Sequence, residues 1–600
     1  MNEAAQDDKD AFSWPAAITR AILGFAQGLS LCQLKELSEV GAWGREHPAL
    51  YAALLVSTAF APFVLMGGLG RLRPLTLAVW TFIAVAVCAG LGAYDILRGP
   101  FGVPDIVWHM PGGSVMAAAV AFLFIAHHLV VPADAARKLI PPYPGYFDAA
   151  WKDAVQLILS AAFVGVFWLA LILGAALFHL IGITAVRRLI ESEWFAFPVT
   201  GLALAVAVQL TDVRMGLIRG VRTVGLVLLS WLLPVATFIA VAFLLALPFT
   251  GLKPLFDTKS ATQILLSAAA GLIVLINAAY QDGSEGRAPA FLRWTGRAAA
   301  VALVPLIGIA AFALELRIAP YGLTPERVIA AVCVMIGAVY AVGYAVAAVA
   351  PRGGWMQLLE KVNIGGALLI LVSILAIFTP VADPARLSVD SQVARLTSGA
   401  VTPDRFDFDF LRFQAGRFGK EALANLAART GGPRDADIAD RAVMAQKREY
   451  PLSSSPQEAP QQAIEDRLKV FPTGAALPAS FLDQLQRRDL EDMTWCDSAE
   501  LPCEADVADV DGDGKVEVTI YQPYMAPAGS AAAPGNIYMY RQGPDGRWLP
   551  GARFGGDCAA LVEALRTGKP ALKTGGQEIE AGGRRYDMTY RDSCQSRPAP

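Results

Sequence analysis

The segment Asp509-Val-Asp511-Gly-Asp513-Gly514-Lys515-Val-Glu517 carries the most specific chemistry in the chain. Carboxylates stand at positions one, three and five, glycine at six and Glu517 at nine. A hard cation such as Ca²⁺ gathers several oxygens around one point, and glycine permits the sharp turn this demands. Lys515 would offer only its backbone carbonyl. Ile520 stands where an EF-hand needs its twelfth-position glutamate, and VEVTIY reads as a strand where that motif needs a helix. The segment therefore reads as a calcium loop ahead of a strand, the alternative being a solvated acidic turn. Ca²⁺ is the one cofactor the sequence suggests.

Four cysteines, Cys496, Cys503, Cys558 and Cys594, share the polar C-terminal region with this loop. An even number in a small polar domain predicts disulfides and an oxidising compartment, with Cys496–Cys503 and Cys558–Cys594 favoured among three pairings. Cys32, Cys88 and Cys333 stand alone in apolar segments and read as small core hydrophobes.

Ionisable or polar residues inside apolar spans are costly and are functional candidates by default. Glu315 in AFALELRIAP, Asn277 and His179 are the three. Each has a plainer reading: Glu315 reaching the headgroups, Asn277 and His179 bonding between helices. Pro62, Pro234 and Pro305 interrupt apolar runs and predict kinks, which transporters use to build sites and other membrane helices use for packing. His127 and His128 are neighbours and point apart on a helix, so they make no metal pair. No GxxxxGK[ST], HExxH, GxSxG or paired CxxC pattern occurs, which leans away from an enzyme.

The elements that position these residues are apolar. The stretch from Ala154 to Val186 has no Asp, Glu, Lys or Arg. About 20 apolar residues suffice to cross a bilayer. Similar runs at 48–69, 75–94, 114–131, 194–210, 223–248, 261–280, 298–316, 328–350 and 362–380 bring the number of strong spans to ten. An eleventh, 16–34, contains Arg20, Gln27 and Gln33 and either crosses or lies in the interface. The expected fold is mainly α: a polytopic membrane body with a small C-terminal α/β soluble domain. Its expected parts are a cytoplasmic tail (1–15), the membrane body (16–380), a juxtamembrane helical segment (381–430), a linker (431–470) and a disulfide-bonded domain (471–600).

The acidic first residues predict no cleavable signal peptide. Thirteen Lys and Arg fall in the loops on the N-terminal side and nine in the loops on the other. By the positive-inside rule this predicts a cytoplasmic N-terminus and a periplasmic tail in a bacterial inner membrane. Neither half has the concentrated basic face of a nucleic-acid binder. The expected partners are the lipid bilayer and a periplasmic protein.

The runs WFAFPVTGLALAVAVQLTDVR, SWLLPVATF, LPFTGLKPLFDT, LINAAYQDG and RLSVDSQVARLTSGAVTPDRFDFDFLRF resemble a family of bacterial multi-pass membrane proteins known only as a domain of unknown function. The resemblance covers roughly residues 50–426. It implies the fold and an envelope location, and carries no reaction or site residue. Three functions stay open: a transporter- or channel-like body with a regulatory tail, an envelope sensor or scaffold whose calcium-binding domain recruits a partner, and an enzyme acting on lipid or cell-wall precursors.

Overall fold

The computed structural model describes residues 14–39, 43–99, 110–213, 215–258, 260–283, 288–350 and 355–448, and then 468–472, 475–486, 504–509, 514–521, 536–543, 546–555 and short strands between 571 and 598. They divide into two compact units. The first holds residues up to Ala400 with Gln414–Ala422, and the second Val401–Phe413 with Leu423 onward.

In the first unit the helices are α1 (Trp14–Glu39), α2 (Trp43–Glu46), α3 (Pro48–Gly68), α4 (Pro74–Arg98), α5 (Gly113–Ala136), α6 (Tyr143–Leu180), α7 (Ala185–Glu191) and α8 (Glu193–Val213). They continue as α9 (Met215–Thr250), α10 (Lys253–Asp257), α11 (Ala261–Tyr280), α12 (Ala290–Tyr321), α13 (Pro325–Val349), α14 (Leu358–Ile377) and α15 (Pro384–Ser398). Among the described residues ten helices are long and apolar enough to cross a membrane, from α3 to α6, α8, α9 and α11 to α14. The chain is a multi-pass membrane protein.

α1 is not one of the ten, yet it lies along α8 over that helix's length. Arg20 pairs with Asp212 at one end and Lys35 with Glu193 at the other, so the two run antiparallel. Gly24 and Gly28 allow the approach: a Cβ on either would collide with the carbonyl of Gly201 or Phe197. This is the small-xxx-small contact that brings membrane helices close. Gln27, on the same turn, repairs a defect in α3. Pro62 has no N–H, which strips the Thr58 carbonyl of its helical partner. The Gln27 side-chain amide donates to that carbonyl at 3.2 Å and to the Ala59 carbonyl at 2.8 Å. In the absence of water such a repair is required.

Among the described residues of the first unit, two apolar cores stand out. One is formed by α3, α4 and α5 around Val56, Trp80, Cys88 and Phe122, with Leu371 and Phe378 from the far end of α14. The other is formed by α9, α11, α12 and α13 around Leu233, Ile276, Leu303 and Tyr344, with Leu359 from the near end of α14 and Tyr143 and Phe147 from α6. α14 thus belongs to both. α6 spans about 57 Å at 1.5 Å per residue, nearly twice the hydrocarbon thickness. It starts well before Ala154, and Tyr143 and Tyr146 are buried in its first turn. Cys32 and Cys88 are buried as expected, whereas Cys333 faces outward on α13.

Past α15, the expected juxtamembrane helical segment (381–430) is broken. A 3-10 turn at Pro403–Arg405 and a π turn at Phe410–Gln414 precede α16 (Gly416–Ala427), and Gly416 takes a φ of +54°. The segment expected as linker contains α17 (Pro433–Lys447). Farther on, β1 (Lys469–Phe471), β2 (Glu504–Ala508), β3 (Glu517–Tyr521), β4 (Asn536–Gln542) and β5 (Trp548–Gly555) form a sheet in that order, β1 parallel to β2 and the rest antiparallel. Helix α18 (Ala479–Gln486) packs Phe481 and Leu485 onto the face bearing Ala505, Val518, Ile520, Tyr538 and Tyr540. Four short strands, β6 (Ala571–Leu572), β7 (Glu578–Ala581), β8 (Arg584–Asp587) and β9 (Ser596–Pro598), make a second sheet. The sequence predicts strands at 516–521, 537–541 and 548–550, where β3, β4 and β5 stand, β5 running five residues farther; it does not predict β1, β2 and α18.

Candidate functional site

Among the described residues of the membrane body, α6 contributes to two polar networks. The first is charged. The Arg20 guanidinium donates to Asp212 at 2.9 Å, to Gln209 at 2.5 Å, and to the Met66 and Leu69 carbonyls that end α3. A cation at a helix C-terminus also meets the negative end of the helix dipole. Arg71, in the turn between α3 and α4, reaches Asp153 of α6 at 2.7 Å and Asp212 of α8 at 3.2 Å. Lys152 approaches Asp212 at 3.4 Å, and the His128 Nε2 lies 3.2 Å from Asp153. Gln156 donates to the Val208 carbonyl, and the Trp80 indole donates to His127 Nδ1 at 3.1 Å. Arg73 and Thr76 hold Asp134 nearby. Burial works against the Arg71 charge, but Asp153 and Asp212 outweigh it and hold the guanidinium above its ordinary value. The interlocked set of Arg20, Arg71 and Lys152 against Asp153 and Asp212 carries one cation in excess.

The second network is neutral. Asn363 of α14 donates to Asn277 of α11 at 2.6 Å and to the Tyr143 hydroxyl of α6 at 2.9 Å. The Tyr344 hydroxyl of α13 donates to Asn363 at 2.5 Å and accepts from Asn277 at 2.7 Å. Four helices are joined by a closed ring of hydrogen bonds. Tyr280, one turn beyond Asn277, donates to Glu360 at 2.8 Å. Tyr143 and Asp153 are ten residues apart, so the two networks sit about 15 Å apart along α6.

Of the three expected intramembrane candidates, Asn277 is central to the neutral ring. Glu315 and His179 are exposed on helix surfaces and lie far from it. Thr262 of α11 donates to the Ala310 carbonyl of α12 at 3.4 Å, which fixes the level of the two helices. Asn277 is then about 22 Å away in one direction, and Glu315 stands beyond Ala310 in the other. His179 is 36 residues along α6 from Tyr143, about 54 Å. These three residues do not converge on one cavity.

In the tail, the Gly514 N–H donates to the Asp509 carboxylate at 3.1 Å, and Gly514 takes a φ of +84°. Lys515 is exposed and Glu517 is buried in β3. Asp511, Asp513 and the four tail cysteines lie outside the described residues. Among the described residues no group of three or more His, Cys, Asp and Glu could hold a metal ion, and the described cysteines are free. The nearby Asp506, on β2, is pushed up to about 6 by burial, with the Tyr521 hydroxyl pulling the other way.

The charged network was missed because its members sit within a turn or two of span ends. There Arg71 and Lys152 read as loop charges, and Arg20 reads as a flaw in a weak helix. The signal available was complementarity: Arg20 and Gln27 within one candidate span, Asp212 at the end of another, and Gly24-x-x-x-Gly28 between them. Searches of family models, of curated proteins and of solved structures find no match to this chain.

Proposed function

We propose that the membrane body is a transporter-like unit in which two helix bundles move against each other about the helices they share. The observation that carries this reading is the pair of separate apolar cores bridged by α14, with α6 reaching from one core into the charged network of the other bundle. Rocking of one bundle against another is how many secondary transporters alternate access. A charged network at such a junction has discrete alternative pairings, because Asp153 can exchange Arg71 for His128 and Asp212 can exchange Arg20, Arg71 and Lys152. The transported species is a small polar or ionic solute whose binding shifts these pairings. Distance measurements between a label on α4 and one on α12, in lipid nanodiscs, test the motion. Two distance populations whose ratio changes in Asp153→Asn support the reading; a single invariant population overturns it.

The alternative, an envelope sensor or scaffold, draws on the tail. The Asp509–Gly514 hydrogen bond and the positive φ of Gly514 suit a tight cation loop completed by Asp511 and Asp513. A periplasmic location and the Cys496–Cys503 and Cys558–Cys594 bridges belong to the same reading, supported by the loop charge distribution and the even cysteine number. Calorimetry of the full chain with Ca²⁺ tests it: heat that disappears in Asp511→Ala favours the sensor, and no heat at millimolar Ca²⁺ removes the loop from consideration.

A further inference from the structure

The seam between α13 and α14 opens on one side into a groove walled by Val339, Val342 and Gly343 of α13 and Lys361, Gly365 and Gly366 of α14. It has a volume of about 630 Å³ and is open along its length, a size that accommodates a small-molecule ligand. Its shape comes from glycine. At Gly343 and Gly366 the opposite helix fills the space a side chain would take, through Val362 and Tyr340. At Gly365 nothing lies within 4 Å of where a Cβ would stand, so the groove continues there as open space. The walls are apolar, and the neighbouring surface of both helices is too, with Val346, Val349, Leu368 and Val372 exposed. Both helices are membrane spans by length and composition, so this surface faces acyl chains.

Lys361 breaks the apolar pattern. It is exposed in the first turn of α14, at the end of the span, and makes no ion pair among the described residues. Glu360 beside it is engaged by the Tyr280 hydroxyl. A lysine at that depth extends its chain to the headgroup level and meets phosphate there. The groove thus has an apolar trough with one cation at its interfacial end that is unpaired among the described residues, a pattern complementary to an anionic phospholipid.

We infer that the α13–α14 groove binds one anionic phospholipid, with an acyl chain along Gly365 and the headgroup phosphate on Lys361. The site is independent of whether the body transports a solute. One lysine contact corresponds to about a fivefold preference for an anionic over a zwitterionic headgroup.

The test uses the full-length protein and native mass spectrometry with phosphatidylglycerol and phosphatidylcholine of matched chains. The wild-type protein is expected to retain one phosphatidylglycerol about fivefold over phosphatidylcholine. Lys361→Gln should bring the ratio close to one, and Gly365→Leu, which fills open space, should release both lipids. Gly365→Ala gives a smaller loss and serves where the leucine variant does not fold. Equal retention of the two lipids by the wild type, an unchanged ratio in Lys361→Gln, or a dimer formed through this face with no lipid released would each overturn the site.

Discussion

Helix α6 enters two polar networks that solve the same problem differently. Around Asp153 the groups are full charges: three cations from α1, the α3–α4 turn and α6 close on two carboxylates from α6 and α8. Around Tyr143 they are neutral amides and phenols, each donor matched to an acceptor. A neutral ring costs little to bury once its bonds are made. A charged one is costly to assemble and far costlier to leave incomplete, because each lost partner strands an ion away from water. The neutral ring therefore suits a fixed joint among α6, α11, α13 and α14. The charged network is the place where one change of protonation or ligand is felt across five helices.

The largest effect expected from this contrast is at Asp212, which serves Arg20, Arg71 and Lys152 together. Asp212→Ala should destabilise the membrane body by about 3–5 kcal/mol, the usual cost of breaking a buried pair from one side. Thermal unfolding in detergent would measure it, and a change below about 1 kcal/mol would mean water reaches the network.

Asp506 supplies the next test, as a buried carboxylate whose shift no described cation offsets. Its raised value means the folded state holds its proton more tightly than the unfolded chain does. Stability is then greatest below the ordinary value of 3.8, falls as pH climbs to about 6, and stays level above. The span corresponds to about 3 kcal/mol at 1.36 kcal/mol per unit. Asp506→Asn should abolish that pH dependence, read as hydrogen exchange of the β2, β3 and β4 amides in the full-length protein. Protection factors in the wild type, corrected for the intrinsic pH dependence of exchange, that are equal at pH 4 and pH 8 would contradict the shift.

The membrane helices were legible because hydropathy is a property of contiguous sequence: the ten strong spans are recovered, and several only lengthen at their ends. α6 gains most at a single end, starting eleven residues before Ala154, since Tyr143, Pro144 and Tyr146 look like a loop until Asn277 and Asn363 are seen to need the Tyr143 hydroxyl. The networks were not legible because they are made by contacts between distant segments, such as Arg20 with Asp212. A charged residue near a span end has the same local signature whether it faces water or another helix. Asn277 was found because an amide inside an apolar run stands out on its own. Gln27 was seen only as a weakness, because its value depends on Pro62 in the next long helix.

Gln27→Leu ranks third. It leaves the Thr58 carbonyl without a replacement for the donor that Pro62 took away and removes the second bond to Ala59, at a cost of about 1–3 kcal/mol. Restoring the donor by Pro62→Ala in the same chain should recover most of that loss, so the double variant should be more stable than Gln27→Leu alone. Strict additivity of the two substitutions would show that Gln27 and Pro62 are not coupled.

The smallest effect falls on the neutral ring. Asn363→Leu removes two donated bonds and one accepted bond but strands no charge, because Tyr143, Tyr344 and Asn277 keep bonds among themselves. Interhelical hydrogen bonds in membranes are worth about 0.6 kcal/mol on average and rarely exceed about 1.7. A loss of about 1–2 kcal/mol is therefore expected in the same unfolding assay that reads Asp212→Ala. If the two variants proved equally damaging, the neutral ring would be as unforgiving as the ionic cluster, and the division between a fixed joint and a responsive one along α6 would fail.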